Sequence, residues 1–167
     1  MADRHLRAAK GKLYLCAVKD VFSGRIVGYS IDSRMKSHLA VNALDMVVTR
    51  RGNVAGCIVH SDRGSPFRSR KYVAAIRRNY LIGSMGRVGA AGDNAAMESF
   101  FALLQKNVLN RKAWRSRDEL RAAIITWIER TLSPPASAGP SGPIVAHQIR
   151  DHHEPDRLPG GLTASVS

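Results

Sequence analysis

The sequence predicts an α/β domain, and three observations carry that expectation. A strand-turn-strand pattern opens the chain after Gly11, apolar residues then recur at spacings of three and four, and two short apolar runs lie between the helical segments. Lys12 to Lys19 is an apolar strand run, Asp20-Val21-Phe22-Ser23-Gly24 is a turn, and Arg25 to Ile31 alternates again, which makes a hairpin. Ala40, Ala43, Leu44, Val47 and Val48 follow with helical spacing, with Ser37 as N-cap. Cys57 to Val59 is a short buried strand running out to Asp62, and a small helix around Tyr72, Val73 and Ile76 leads to a last strand, Leu81 to Met85. The glycine-rich loop from Gly86 to Gly92 cannot pack firmly. Asp93 caps the helix after it, whose apolar face is Met97, Phe100, Phe101, Leu104 and Val108. Ser116 and Glu119 form a capping box for a final helix with Leu120, Ala123, Ile124, Trp127 and Ile128 inward.

At 167 residues and 44% hydrophobic, the chain has material for a single core. Its formal charge of +13 and pI near 10.7 imply a polyanionic partner, because Lys and Arg contacts to phosphates release counterions and supply most sequence-independent affinity for nucleic acid. A merely soluble basic surface is the plainer alternative. The charge is uneven: residues 132–167 hold two Arg against three acids, so this tail carries −1 and residues 1–131 carry +14. The tail also holds six of the seven prolines and four glycines, which predicts disorder and a boundary near Thr131. Cys16 and Cys57 lie in apolar strand-like runs without ligand-like spacing, so buried thiols in a reducing cytosol are expected rather than a disulfide or zinc site. No apolar stretch approaches the ~18 residues of a membrane span, and no membrane partner is expected.

Two carboxylates carry the chemistry. Asp62 ends an apolar strand at a polar tip, Gly56-Cys57-Ile58-Val59-His60-Ser61-Asp62, and Glu98 lies one turn into the helix that begins near Gly92. A strand-end Asp facing a helix-borne Glu can hold a divalent cation between them, the core of two-metal phosphoryl transfer. Asp20 fits a turn better than a ligand site, and His60 fits a strand-end residue hydrogen-bonded nearby. Asp93 is explained by its cap.

Three stretches taken together resemble the integrase-type catalytic core of bacterial insertion-sequence transposases, relatives of retroviral integrase. They are His60-Ser61-Asp62-Arg63-Gly64-Ser65, Ser84-Met85-Gly86-Arg87 and Gly92-Asp93-Asn94-Ala95-Ala96-Met97-Glu98-Ser99-Phe100-Phe101. The resemblance extends from about Gly11 to Thr131 and implies a ribonuclease-H-like mixed sheet flanked by helices. It further implies that Asp62 and Glu98 are the second and third members of an Asp-Asp-Glu triad binding Mg2+ (or Mn2+), with DNA and other transposase subunits as partners in the bacterial cytoplasm, at the nucleoid. Arg63 and Arg87 flank the metal positions, where they can contact phosphate or pair with a neighbouring acid. Lys106, eight positions after Glu98, can meet the DNA backbone or stand as a solvated helix residue.

The sequence also departs from the family. The family's first Asp lies in a Trp-x-Thr-Asp-Ile-like strand about nine residues before the Gly11 position, which puts Ala2 in its place; Asp3 is one residue off, and a one-residue slip turns a strand side chain to the opposite face. That strand is central in the fold, so most of it is expected to be missing. Codons chosen for Met1 to Leu6 can yield Trp-Arg-Thr-Asp-Ile when read one base later, and codons for Leu132 to Ala136 can yield Tyr-His-Arg-Arg. The division expected is a diverged remnant at 1–10, an integrase-like catalytic core at 11–131 and a disordered Pro/Gly-rich tail at 132–167. The function expected is that of a truncated transposase core, inactive alone. The alternatives are a non-catalytic DNA-binding or transposase-interfering fragment and, less well matched to Asp62 and Glu98, a basic RNA-binding structural protein.

Overall fold

The computed structural model describes residues 12–85, 91–131 and 144–150; the remnant expected at 1–10, Arg87 and most of the glycine-rich loop lie outside them. Strands β1 (Tyr14–Asp20) and β2 (Ile26–Asp32) form the expected hairpin, antiparallel from Tyr14↔Asp32 to Lys19↔Ile26 with a bulge between Val18 and Lys19. Its turn is built by Asp20, whose carboxylate accepts from the Phe22 amide at 3.1 Å and the Ser23 hydroxyl at 2.7 Å. Gly24 closes the turn at φ +69°, a conformation open to glycine without strain. Asp20 is nearly buried and meets Arg51 at 2.7 Å, so this acid serves the turn, as its spacing predicts, and its charge is compensated.

Helix α1 (Ser37–Arg51) follows, then β3 (Ile58–Ser61), α2 (Arg70–Arg78), β4 (Ile82–Met85), α3 (Ala91–Leu104) with a π-helical turn at Gln105–Leu109, and α4 (Arg117–Thr131). Lys36 is the N-cap of α1, without a side-chain cap bond, so Ser37 is the first helical residue and not the cap. α3 begins at Ala91, which places Asp93 within its first turn rather than at the cap. At α4 the box forms on one side: the Glu119 amide donates to the Ser116 hydroxyl at 3.1 Å, whereas the Glu119 carboxylate takes the Arg115 amide at 2.9 Å and Lys112 at 2.5 Å.

The sheet contains a strand where composition predicts disorder. β5 (Ile144–Arg150) stands at its centre, in the order β2-β1-β5-β3-β4. It runs antiparallel to β1 from Tyr14↔Arg150 to Asp20↔Ile144 and parallel to β3 from Val59↔Ile144 to Ser61↔Ala146. The expectation that 132–167 is disordered throughout is corrected over these seven residues. Averaged over the tail, proline and glycine hide a segment free of both that contains Ile144, Val145 and Ile149, residues with strand preference. The expected loss of the first strand itself concerns residues outside those described.

Alternation along β1 feeds two cores. Tyr14, Cys16 and Val18 pack with Leu39, Ala43, Leu44 and Val47 of α1, Val59 of β3 and Tyr72 and Ile76 of α2. Leu15 and Ala17 face the other side, where Ile26 and Ile31 of β2 meet Met97, Phe100 and Leu104 of α3 and Leu120, Ile124 and Ile128 of α4. Helices therefore cover both faces, a mixed α/β arrangement with antiparallel and parallel pairs in one sheet. Cys16 and Cys57 are buried and free, as expected for thiols acting as small hydrophobes.

A polar clasp ties the layers. The Tyr29 hydroxyl donates to Glu129 at 2.6 Å, and Arg50 from α1 ion-pairs with the same carboxylate. Burial raises the Glu129 carboxyl, but the hydrogen bonds from Tyr29 and Arg50 and the Arg50 charge outweigh it, so the net shift is downward. Burial first, and then Glu129, push the Tyr29 phenol up to about 12. A depressed carboxyl contributes stability that is complete above its unfolded value of about 4.3 and is lost as pH falls through the lower folded value. Acid titration of the unfolding midpoint should accordingly show a component below about pH 4.3 that Glu129→Gln removes; identical acid profiles for the two proteins would refute the clasp.

Candidate functional site

β3 is buried at Val59 and Ser61 and delivers Asp62 just past its end. The loop that follows holds the carboxylate in place. The Gly64 amide donates to Asp62 Oδ1 at 2.7 Å, and the Phe67 and Arg68 amides both donate to the Gly64 carbonyl, at 3.1 and 3.3 Å. Phe67 is fully buried, with its ring edge-on to Tyr72 at 5.2 Å, and Ser69 caps α2 by accepting from the Tyr72 amide at 3.2 Å. A short loop pinned at both ends thus presents one carboxylate just past the end of β3. Its charge is felt beneath: burial and then Asp62 raise the Cys16 thiol, and Asp62 adds to the desolvation that raises the Tyr72 phenol.

Gly64 has a steric role in this loop. A Cβ built there would sit 2.7 Å from Asp62 Oδ1 and 3.7 Å from the Phe67 ring. The carboxylate is the movable partner, so Gly64→Ala should turn it away and break the amide bond while leaving the fold intact. Since a hydrogen bond to a charged group contributes about 1.5–3 kcal/mol, the amide at position 64 should exchange with solvent roughly tenfold faster or more. Unchanged exchange would show that Asp62 does not depend on this glycine.

Glu98 lies on α3 next to Met97, which is buried, and is itself exposed on the helix flank. Met97, Phe100 and Leu104 anchor that helix to the core, so the flank bearing Glu98 has a fixed position relative to β1 and β2. Lys106 is exposed within the π-helical turn, where the Asn110 amide donates to the Gln105 carbonyl at 2.9 Å. A π turn rotates less per residue than an α-helix, and such turns are frequent at functional sites. Arg63 is exposed beside Asp62. Neither Arg63 nor Lys106 forms an ion pair among the described residues, in contrast to Arg51 with Asp20, Arg50 with Glu129, Arg78 with Asp45 and Lys112 with Glu119.

Sequence reasoning missed part of the basic rim. Arg68, Arg70 and Lys71 are exposed on the loop and first helical turn after Asp62. With Arg63 they make four cations in nine residues, a density readable from Arg63-Gly64-Ser65-Pro66-Phe67-Arg68-Ser69-Arg70-Lys71 itself. Oxygen donors such as Asp62 and Glu98 suit a hard divalent cation. Among the described residues, no group of three or more His, Cys, Asp or Glu is placed to hold one.

A mixed five-stranded sheet with helices on both faces, an aspartate just past the end of an inner strand and a cationic loop after it is the architecture of a ribonuclease-H-like α/β core of the integrase type. The family model described as "Integrase core domain" matches residues 4–91, and the chain belongs to that family. It is 39% identical over 125 residues to the transposase InsF for insertion sequence IS3A of Escherichia coli (strain K12), an alignment covering 75% of this chain and 43% of that protein. It is 34% identical over 120 residues to the transposase for insertion sequence element IS629 of Shigella sonnei, covering 72% of this chain and 40% of that one. The chain therefore spans less than half the length of these curated relatives. Its fold is similar to a chain in the cryo-EM structure of the simian T-cell lymphotropic virus intasome in complex with PP2A regulatory subunit B56 gamma, with a TM-score of 0.52 at 15% identity, covering 89% of this chain and 53% of that chain. Among the described residues, no helix is long and apolar enough to cross a membrane.

Proposed function

We propose that this chain is a DNA-binding transposase core, descended from enzymes of DNA integration and transposition that work by metal-dependent phosphoryl transfer, and that alone it does not carry out that reaction. The observation that carries the reading is Asp62, held by its loop at the end of β3 and followed along the chain by the exposed cations Arg63, Arg68, Arg70 and Lys71, in a chain of the integrase core family. Residues 11–131 are the catalytic-type core, to which β5 is added. Arg63 and Lys106, and Arg87 outside the described residues, contact the DNA backbone. Asp62 and Glu98 are the two carboxylates for Mg2+ or Mn2+, and a bound ion would supply charge neutralisation at the scissile phosphate. With Ala2 at the place of the family's first Asp, the pair lacks the ligand needed to position the ions.

Ala2 at the place of the family's first Asp also supports a second reading, a non-catalytic DNA-binding protein that interferes with an intact transposase by occupying its DNA ends or its subunits. Both readings place the chain on DNA in the cytoplasm, and they separate in one assay. The purified chain, offered insertion-sequence ends with Mg2+ or Mn2+, should bind without cleaving or joining strands. Robust Mg2+-dependent strand transfer would overturn the claim of an incomplete catalytic set, and failure to bind DNA would overturn both readings.

A further inference from the structure

The sheet is assembled from two pieces that do not pair with each other. β2 and β1 form one piece, β3 and β4 the other, and β5 is the strand that joins them. Without it, the inner edges of β1 and β3 would each expose backbone donors and acceptors between two apolar cores, and an unpaired buried peptide group costs about as much as a lost hydrogen bond. The gap is specific about what it admits. Its occupant must run antiparallel to β1 over seven residues and parallel to β3 over three, must lack proline, and must begin beside Asp20 and Val59 and continue past Ser61 along β1.

We propose that the centre of this sheet is a strand-acceptor slot, and that the chain fills it in cis with its own segment Ile144–Arg150, a donor strand whose docking joins the two halves and seats Asp62. The seating follows from the register: Ala146 pairs with Ser61, the residue immediately before Asp62, while Val145 pairs with both His60 and Lys19. Reach permits the cis arrangement. Residues 132–143 separate Thr131 from Ile144, and twelve residues span up to about 40 Å when extended, on the order of the full diameter of a domain of this size. Recognition is of the β-augmentation kind, in which main-chain bonds supply affinity and alternating side chains supply register. This proposal concerns assembly and stands or falls separately from DNA binding.

Two measurements on the full chain test it. In Lys19→Cys/Val145→Cys, oxidation should give an intramolecular 19–145 disulfide by peptide mapping; no such bond, or only an intermolecular one, overturns docking in cis. Ala146→Pro removes a backbone donor from a strand paired on both sides, and hydrogen-exchange protection should fall at least tenfold in both β1 and β3. A synthetic peptide of residues 143–150, added in excess, should restore that protection, whereas a scrambled peptide of the same composition should not. Unchanged protection in Ala146→Pro, or equal rescue by the scrambled peptide, overturns the slot. If Ala146→Pro does not fold, the disulfide result decides alone.

Discussion

DNA affinity should fall by about 10³–10⁵ between 50 and 200 mM salt if six to ten phosphates are neutralised, with little dependence on sequence. The excess charge that drives this lies in residues 1–131, which carry +14 against −1 in the tail. Not all of it is available. Arg50, Arg51, Arg78 and Lys112 are engaged with carboxylates, which leaves exposed cations such as Arg63, Arg68, Arg70, Lys71 and Lys106 as candidates for phosphate contact. Removing one cation from a phosphate should reduce the magnitude of the log-log salt slope by about 1, so Arg63→Ala and Lys106→Ala should each do so while weakening all sequences alike. Asp62→Asn should leave binding intact or tighten it, because it removes a negative charge next to Arg63 and the cations that follow it. Salt-insensitive binding, or none at about 50 mM where the counterion term is large, would sink the nucleic-acid reading whatever the outcome of cleavage assays.

Much of this arrangement was legible because local pattern and final environment agree. The hairpin follows from alternation on either side of an Asp-x-x-Ser-Gly turn, and the structure spends the Asp20 side chain on that turn as the spacing implies. The face of α1 was readable from Ala40 to Val47, and the presentation of Asp62 from an apolar run that stops at a charged tip. What escaped were features that local chemistry does not determine. β5 has ordinary strand formers in a proline-rich setting, and only partners more than eighty residues away turn them into the centre of a sheet. α3 starts at Ala91, two residues before the capping residue the sequence offers, while Met97 and Phe100 pack into the core. The π turn at Gln105–Leu109, which contains Lys106, has no sequence signature.

Gly28→Ala should destabilise the chain by about 3 kcal/mol and lower Tm by roughly 10 °C, although it adds a single methyl group. Gly28 is buried in β2 opposite Val18, and α1 lies directly over it. A Cβ there would stand 2.4 Å from the Ala43 carbonyl oxygen, 2.5 Å from Val47 Cγ2 and 3.1 Å from the Val47 amide nitrogen. Two of these three atoms belong to the helix backbone. They cannot rotate aside as a side-chain end can, so relief requires α1 to lift from the sheet, loosening Leu39, Ala43, Leu44 and Val47 together. A clash with backbone also predicts more than simple loss of stability. Val47→Ala removes the Cγ2 contact but not the carbonyl, and it opens a cavity of its own, so the double substitution should remain at least as unstable as Gly28→Ala alone. Thermal unfolding of the three variants against the parent measures this directly. If Gly28→Ala unfolds within a degree or two of the parent, or Val47→Ala rescues it, α1 does not sit on β2 as closely as these distances require, and the core that positions Asp62 is packed differently.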